Sequence, residues 1–165
     1  MAGRLVTPPS SEPVGVDESR QWARIDDDVD EGIVALAIKA AREHAEHITG
    51  RRFVTQAWAL RVRAGQTVAL HGFVPVQSVK TAAGDDLPWF DDGIPPTVTA
   101  VADGELRITC GYGDANVVPS SVKMWIWQRL GFYIENRDSL ISGKVVAPPR
   151  DYVDGLLDGL EVPRL

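Results

Sequence analysis

Hydrophobic positions along this chain change period twice, and those changes divide it. Val16, Trp22 and Ile25 form a short amphipathic stretch consistent with a helix that starts near Asp17. Ile33, Leu36, Ala37, Ala40, Ala41, His44, Ala45 and Ile48 then recur at three-and-four spacing, which predicts a long helix over Asp30 to Thr49. Asp28 and Glu31 have the spacing of a capping box at its start, and Gly50 supplies the stop. From Arg52 to Ala64 the period becomes two, with Val54, Trp58, Leu60 and Val62 on one face and Thr55, Ala57, Arg61 and Arg63 on the other. That face is wet or makes contacts. Thr67 to Leu70, Val74 to Thr81, Thr97 to Ala102 and Glu105 to Cys110 are further strand candidates, and Asp103-Gly104 has the chemistry of a hairpin turn.

Helical spacing returns after Pro119. Val122, Trp125, Ile126, Leu130, Phe132, Tyr133 and Ile134 predict a helix over Ser121 to Arg137, apolar around much of its circumference, which is central to the core or shared with a neighbour. Trp125 and Trp127 cannot face the same way, so one of them needs cover from another element or another subunit. A last short helix is expected over Asp151 to Leu160, weakened by Gly155 and Gly159 and dependent on packing. The fold class is therefore α+β: helices at both ends of the chain pack together, with an antiparallel β region (about 52–110) inserted between them. An extended arm rich in proline and serine (1–15), the helical core with its insertion (16–140) and a C-terminal loop and short helix (141–165) are the expected parts.

Composition narrows the function classes. The 165 residues, 44% hydrophobic and 24% charged, suit one globular domain. Cys110 is alone, which leaves no internal disulfide. The N-terminal stretch has no signal-peptide pattern, and no apolar run approaches the length of a membrane span, so a soluble and unsecreted protein is expected. A net charge of -6 argues against a nucleic-acid clamp and suits the wall of a conduit, since acids repel phosphate.

Candidate chemistry is thin. Asp26, Asp28 and Asp30 alternate as in a calcium loop, but Glu31 stands where glycine is needed and Ala37 where glutamate is needed; helix capping explains them better. His44 and His47 are three apart without a third ligand, Gly111-Tyr112-Gly113 stops short of a dinucleotide fingerprint, and the pairs Asp85-Asp86 and Asp91-Asp92 lie in turn-like segments. No catalytic, cofactor or metal residues are assigned.

The order of several segments carries more information. Glu12-Pro13-Val14, then Trp22-Ala23-Arg24-Ile25-Asp26-Asp27-Asp28, Ala40-Ala41-Arg42-Glu43 through Ile48-Thr49-Gly50-Arg51, and Val54-Thr55-Gln56-Ala57-Trp58 are followed by Pro75-Val76-Gln77-Ser78-Val79, Gly111-Tyr112-Gly113-Asp114-Ala115, Val118-Pro119 and Tyr133-Ile134-Glu135-Asn136-Arg137. In this order, from about Pro13 to Leu160, they resemble the head-tail connector (adaptor) proteins of tailed phages and gene transfer agents. The resemblance implies a virion protein of the neck, assembled in the host cytoplasm. It implies a homo-oligomeric ring of about twelve copies under the portal protein, which extends the DNA channel without reading sequence and offers a platform to a head-closure or tail protein. Neither a membrane nor a cofactor is implied. In that family the C-terminal part commonly engages the portal, which here points to Tyr152, Val153, Leu156, Leu157, Leu160, Arg164 and Leu165. Arg61, Arg63, Trp89, Phe90 and Trp127 are the candidates for contact between copies. The segment from Thr81 to Pro96, short of strand pattern and rich in aspartate and proline, departs from expectation. The rivals are a head-closure or tail-completion protein, a small metal-dependent hydrolase using His44, His47 or His71 with aspartates, and a monomeric ligand-binding module.

Overall fold

The computed structural model describes residues 3–91, 95–135 and 154–162. It is an α+β fold in which the helices of the two ends pack on each other and the antiparallel strands form a second body of structure. Helices α1 (Val16–Ala23), α2 (Glu31–Thr49) and α3 (Ser120–Glu135) enclose one core, centred on Val34, Ile38, Ala41, Ala45, Trp125, Ile126 and Leu130. The α2 stripe faces inward because its apolar residues return every three or four positions. Asp30 begins α2 by accepting amide hydrogens from Gly32 (2.9 Å) and Ile33 (3.3 Å) on its carboxylate, and Gly50 ends it in the left-handed region at φ 69°. The expected Asp28–Glu31 capping box does not form: the helix begins at Glu31, so Asp28 lies too early to reach the orphan amides.

Strands β1 (Arg4–Thr7), β2 (Gln56–Val62), β4 (Val76–Lys80) and β7 (Gly104–Cys110) form one antiparallel sheet in the order β1-β2-β7-β4. Strands β3 (Thr67–Ala69), β5 (Trp89–Phe90) and β6 (Thr97–Thr99) form a second, in the order β3-β6-β5. Leu60, Val79, Leu106 and Ile108 from the first sheet and Val68 and Val98 from the second share one apolar core. Asp103-Gly104 is therefore not a hairpin. The chain passes there from one sheet to the other, and the Asp103 carboxylate accepts a hydrogen bond from the Ala64 amide at 2.7 Å. The segment that lacked strand pattern still supplies β5, because Trp89 and Phe90 pair with Val98 and Thr97.

The expected α-helix over Asp151 to Leu160 is replaced, in its described part, by two 3-10 turns, Asp154–Leu156 and Asp158–Leu160. Gly155 and Gly159 weaken an α-helix, and the twice-repeated Asp-Gly-Leu closes instead through Leu157 N–H to the Asp154 carbonyl and Leu160 N–H to the Leu157 carbonyl, both at 2.8 Å. The turns carry Leu157 into the helical core, where it is fully buried. Tyr152 and Val153 lie outside the described residues.

A buried charge network joins the two cores. In the last turns of α2, the Glu46 carboxylate accepts hydrogen bonds from Arg42 (3.1 Å), Arg52 (3.0 Å), the Phe53 amide (3.1 Å) and the Gln56 side-chain amide (3.0 Å). Arg42 also donates to Glu12 at 2.7 Å, which ties the N-terminal stretch to α2. Arg52 donates to the Gly72 carbonyl and lies 4.6 Å from the centre of the Trp58 ring. Burial alone lowers the pKa of the Arg42 guanidinium, but its hydrogen bond to Glu12 and the charges of Glu46, Glu12 and Glu43 outweigh it and raise it. The guanidinium is held charged inside the protein because the acids that face it are fixed there.

Candidate assembly surfaces

The described contact candidates are spread over both halves of the molecule. Leu157 is buried; Leu156 and Leu160 are half-buried against the helical core, and the Leu160 carbonyl accepts a hydrogen bond from Arg51 while the Val162 amide donates to Thr49. The described part of the C-terminal segment is thus folded onto its own chain. Arg164 and Leu165, like Tyr152 and Val153, fall outside the described residues. Arg61 and Arg63 are exposed on the strand half, Trp89 is half-buried against the strand core, and Phe90 is 58% exposed.

Trp127 receives its cover from within the chain. Its ring stacks on Trp22 of α1, 5.6 Å between centres and 16° between planes, and its indole N–H donates to Ser19 at 3.2 Å. Trp125 points the other way and is fully buried, donating to Asp154 at 3.2 Å. The two indoles, two residues apart and therefore on opposite sides of α3, bind it to α1 on one side and to the C-terminal turns on the other.

Residues weighed as chemistry have structural surroundings. Among the described residues no group of three histidine, cysteine or acidic side chains is placed to hold a metal. His44 lies edge-on to Trp125; burial, then the charge of Arg129, lowers its pKa below the ordinary histidine value against an opposing pull from Asp154. The Cys110 thiol is pushed up to about 12, chiefly by burial, and stays protonated. Gly111, at φ 125°, brings the backbone so close to the Val54 carbonyl that an added Cβ would sit 2.6 Å from its oxygen; this packing explains the glycine. Among the described residues, no helix is long and apolar enough to cross a membrane.

The sheet face turned away from the strand core is basic. Arg4, Ala59, Arg107 and Lys80 stand directly opposite one another in a single row across all four strands, and Arg61 and Glu105 form the next row on the same face. Beside it, Arg61, Arg63, Gln66 and Glu105 line an open groove of about 880 Å3. Sequence reasoning found Arg61 and Arg63 from strand alternation. It could not find the row, because register across strands is set by tertiary pairing. The Glu46 network was also missed, though Arg42 and Glu46 sit four apart inside the apolar stripe of α2, where a charge has to be paired.

No family model matches the chain, and no curated protein matches it in sequence. Solved structures do match in fold. A chain in the neck of an empty gene transfer agent particle, computed with C6 symmetry, superposes with a TM-score of 0.74 at 20% identity, covering 100% of this chain and 97% of that one. Chains in the neck of the native particle computed with C12 symmetry (TM-score 0.70, 19% identity) and in the virion of the native particle (0.70, 17%) match over the same shares. Those particles are where the sequence resemblance pointed, and over its whole length this chain has the fold of a chain found in gene transfer agent necks.

Proposed function

We propose that this protein is a structural connector of the neck in a tailed phage or phage-like particle. On this reading copies assemble as a ring beneath the portal, extend the DNA channel and join head to tail, with no reaction catalysed. The observation that carries it is the end-to-end fold match to chains of particle necks, in which neither protein leaves a domain unmatched. The site geometry is consistent with that role. Large side chains and buried charges serve packing, and the cysteine is held as an unreactive thiol.

A ring built from one repeated head-to-tail contact needs two different faces on each copy and no chemistry. The net charge of -6 suits a channel wall through which DNA slides. The C-terminal segment is the proposed portal contact, through the half-buried Leu156 and Leu160 and the residues beyond Val162. The test is to mix the purified protein with its portal ring and image the product by negative stain. A closed ring of copies added coaxially to one face of the portal is expected; a protein that stays monomeric and leaves the portal bare refutes the proposal.

A further inference from the structure

The basic row is an unfavourable arrangement for a chain on its own. Like charges directly opposite on neighbouring strands destabilise a sheet, and Arg107 stands between Lys80 on one side and, across Ala59, Arg4 on the other. Glu105 lies 3.2 Å from Arg4 and 3.5 Å from Arg61, and Asp86 lies 3.4 Å from Lys80, but these pairs are exposed and worth little. Arg63 and Arg107 have no acidic partner among the described residues.

The missing acid is found at the other end of the molecule. Asp26, Asp27, Asp28 and Glu31 surround the start of α2, all exposed, and none forms an ion pair among the described residues. Their loop is held in shape: the Arg20 guanidinium donates to the carbonyls of Asp26 and Val29, and the Val29 amide donates to the Asp26 carbonyl at 3.2 Å. An acidic loop already ordered loses little entropy on docking. One copy cannot bring the two surfaces together. In helix α2 the 15-residue step from Glu31 to Glu46 spans about 22 Å, which separates the loop from the Glu46 network that reaches Gln56 at the start of β2.

We propose that the basic outer face of the β1-β2-β7-β4 sheet receives the Asp26–Glu31 loop of a second copy of this chain, joining copies head to tail. The inference rests on the ring reading above and names the contact that closes the ring. The loop carboxylates of one copy neutralise Arg61, Arg63 and Arg107 of the next, and each copy keeps its own loop free for the copy beyond.

Charge reversal tests the pairing. One variant carries Arg61→Glu and Arg107→Glu, the other Asp27→Lys and Asp28→Lys; all four sites are exposed, and circular dichroism checks that each variant is folded. Copies bound per portal ring are counted by mass photometry. Each variant alone is expected to lose about tenfold or more in ring occupancy at a concentration that saturates the unaltered protein. An equal mixture should restore it, because each reversed face then meets an opposite one. Normal rings from either variant alone, or no restoration in the mixture, overturn the inference and leave the connector reading standing. The arginine variant forming normal rings while losing retention on duplex DNA assigns the face to nucleic acid and also overturns it. Failure of the unaltered protein to form a ring on the portal removes both proposals.

Discussion

The helical half and the strand half solve the same problem, covering apolar surface, in different ways. In the helical half α3 is apolar around much of its circumference, and the chain packs its own elements against it: α2 over Trp125 and Leu130, Trp22 of α1 over Trp127, and Leu157 from the C-terminal turns. In the strand half alternation puts Leu60, Leu106 and Ile108 on one side of the sheet, and the other side is left to Arg4, Arg61, Arg107 and Lys80. A helix can be wrapped, whereas a sheet always has two faces, and only one of these faces the core. The difference leaves an exposed basic face on the sheet, and the polar joint at Glu46 ties that sheet to the helices.

The strongest way to break the comparison is to cut the joint. Glu46→Ala takes the buried carboxylate partner from the Arg42 guanidinium and from Arg52, Gln56 and the Phe53 amide. A loss of about 3–5 kcal/mol is expected, or roughly 6–20 °C in Tm. Thermal melts followed by far-ultraviolet dichroism and by tryptophan fluorescence should part into two transitions if the halves are stable alone, and stay coincident if they are one cooperative unit. Next in size, Leu157→Ala empties a fully buried position in the helical half, at a cost of about 2–4 kcal/mol in urea unfolding. A cost below about 1 kcal/mol would mean that the C-terminal turns are not part of that core.

The smallest effect concerns pH. The His44 pKa is lowered in the folded chain, so below the ordinary value of 6.5 the unfolded chain binds the proton first and stability falls as pH drops. At higher pH the imidazole is neutral in both states and the contribution is fully present. His44→Gln should flatten the slope of stability against pH just below 6.5, read from urea midpoints across that range, and leave stability at pH 8 little changed. An unaltered slope would place the pH dependence elsewhere.

Much of the helical half could be read from residues alone. The stripe from Ile33 to Ile48 and its stop at Gly50 depend on local periodicity and on glycine's access to positive φ, and both appear where expected. The cap moved from Asp28 to Asp30 because several acids in a row offer equivalent oxygens and only the start of the helix selects among them. For the strands, alternation places Arg61 on the outer side of β2, with Arg63 just past its end, but Asp103-Gly104 misleads, since a turn dipeptide does not say which strands it joins. Leu157 has the sequence surroundings of a docking residue and lies in the core. An apolar side chain between two glycines has the same appearance in either role.

The sequence by itself determined the α+β layout, the acidic loop ahead of α2 and the one apolar face of each long strand, because periodicity, capping chemistry and charge are properties of neighbours along the chain. Only the tertiary structure decided that Arg4, Arg107 and Lys80 form one row, that Glu46 gathers the Arg42 and Arg52 guanidiniums, and that Trp127 rests on Trp22. The strand row and the tryptophan stack join residues far apart in the chain, and the Glu46 cluster joins α2 to the segment leading into β2; register and packing, not local preference, bring them together.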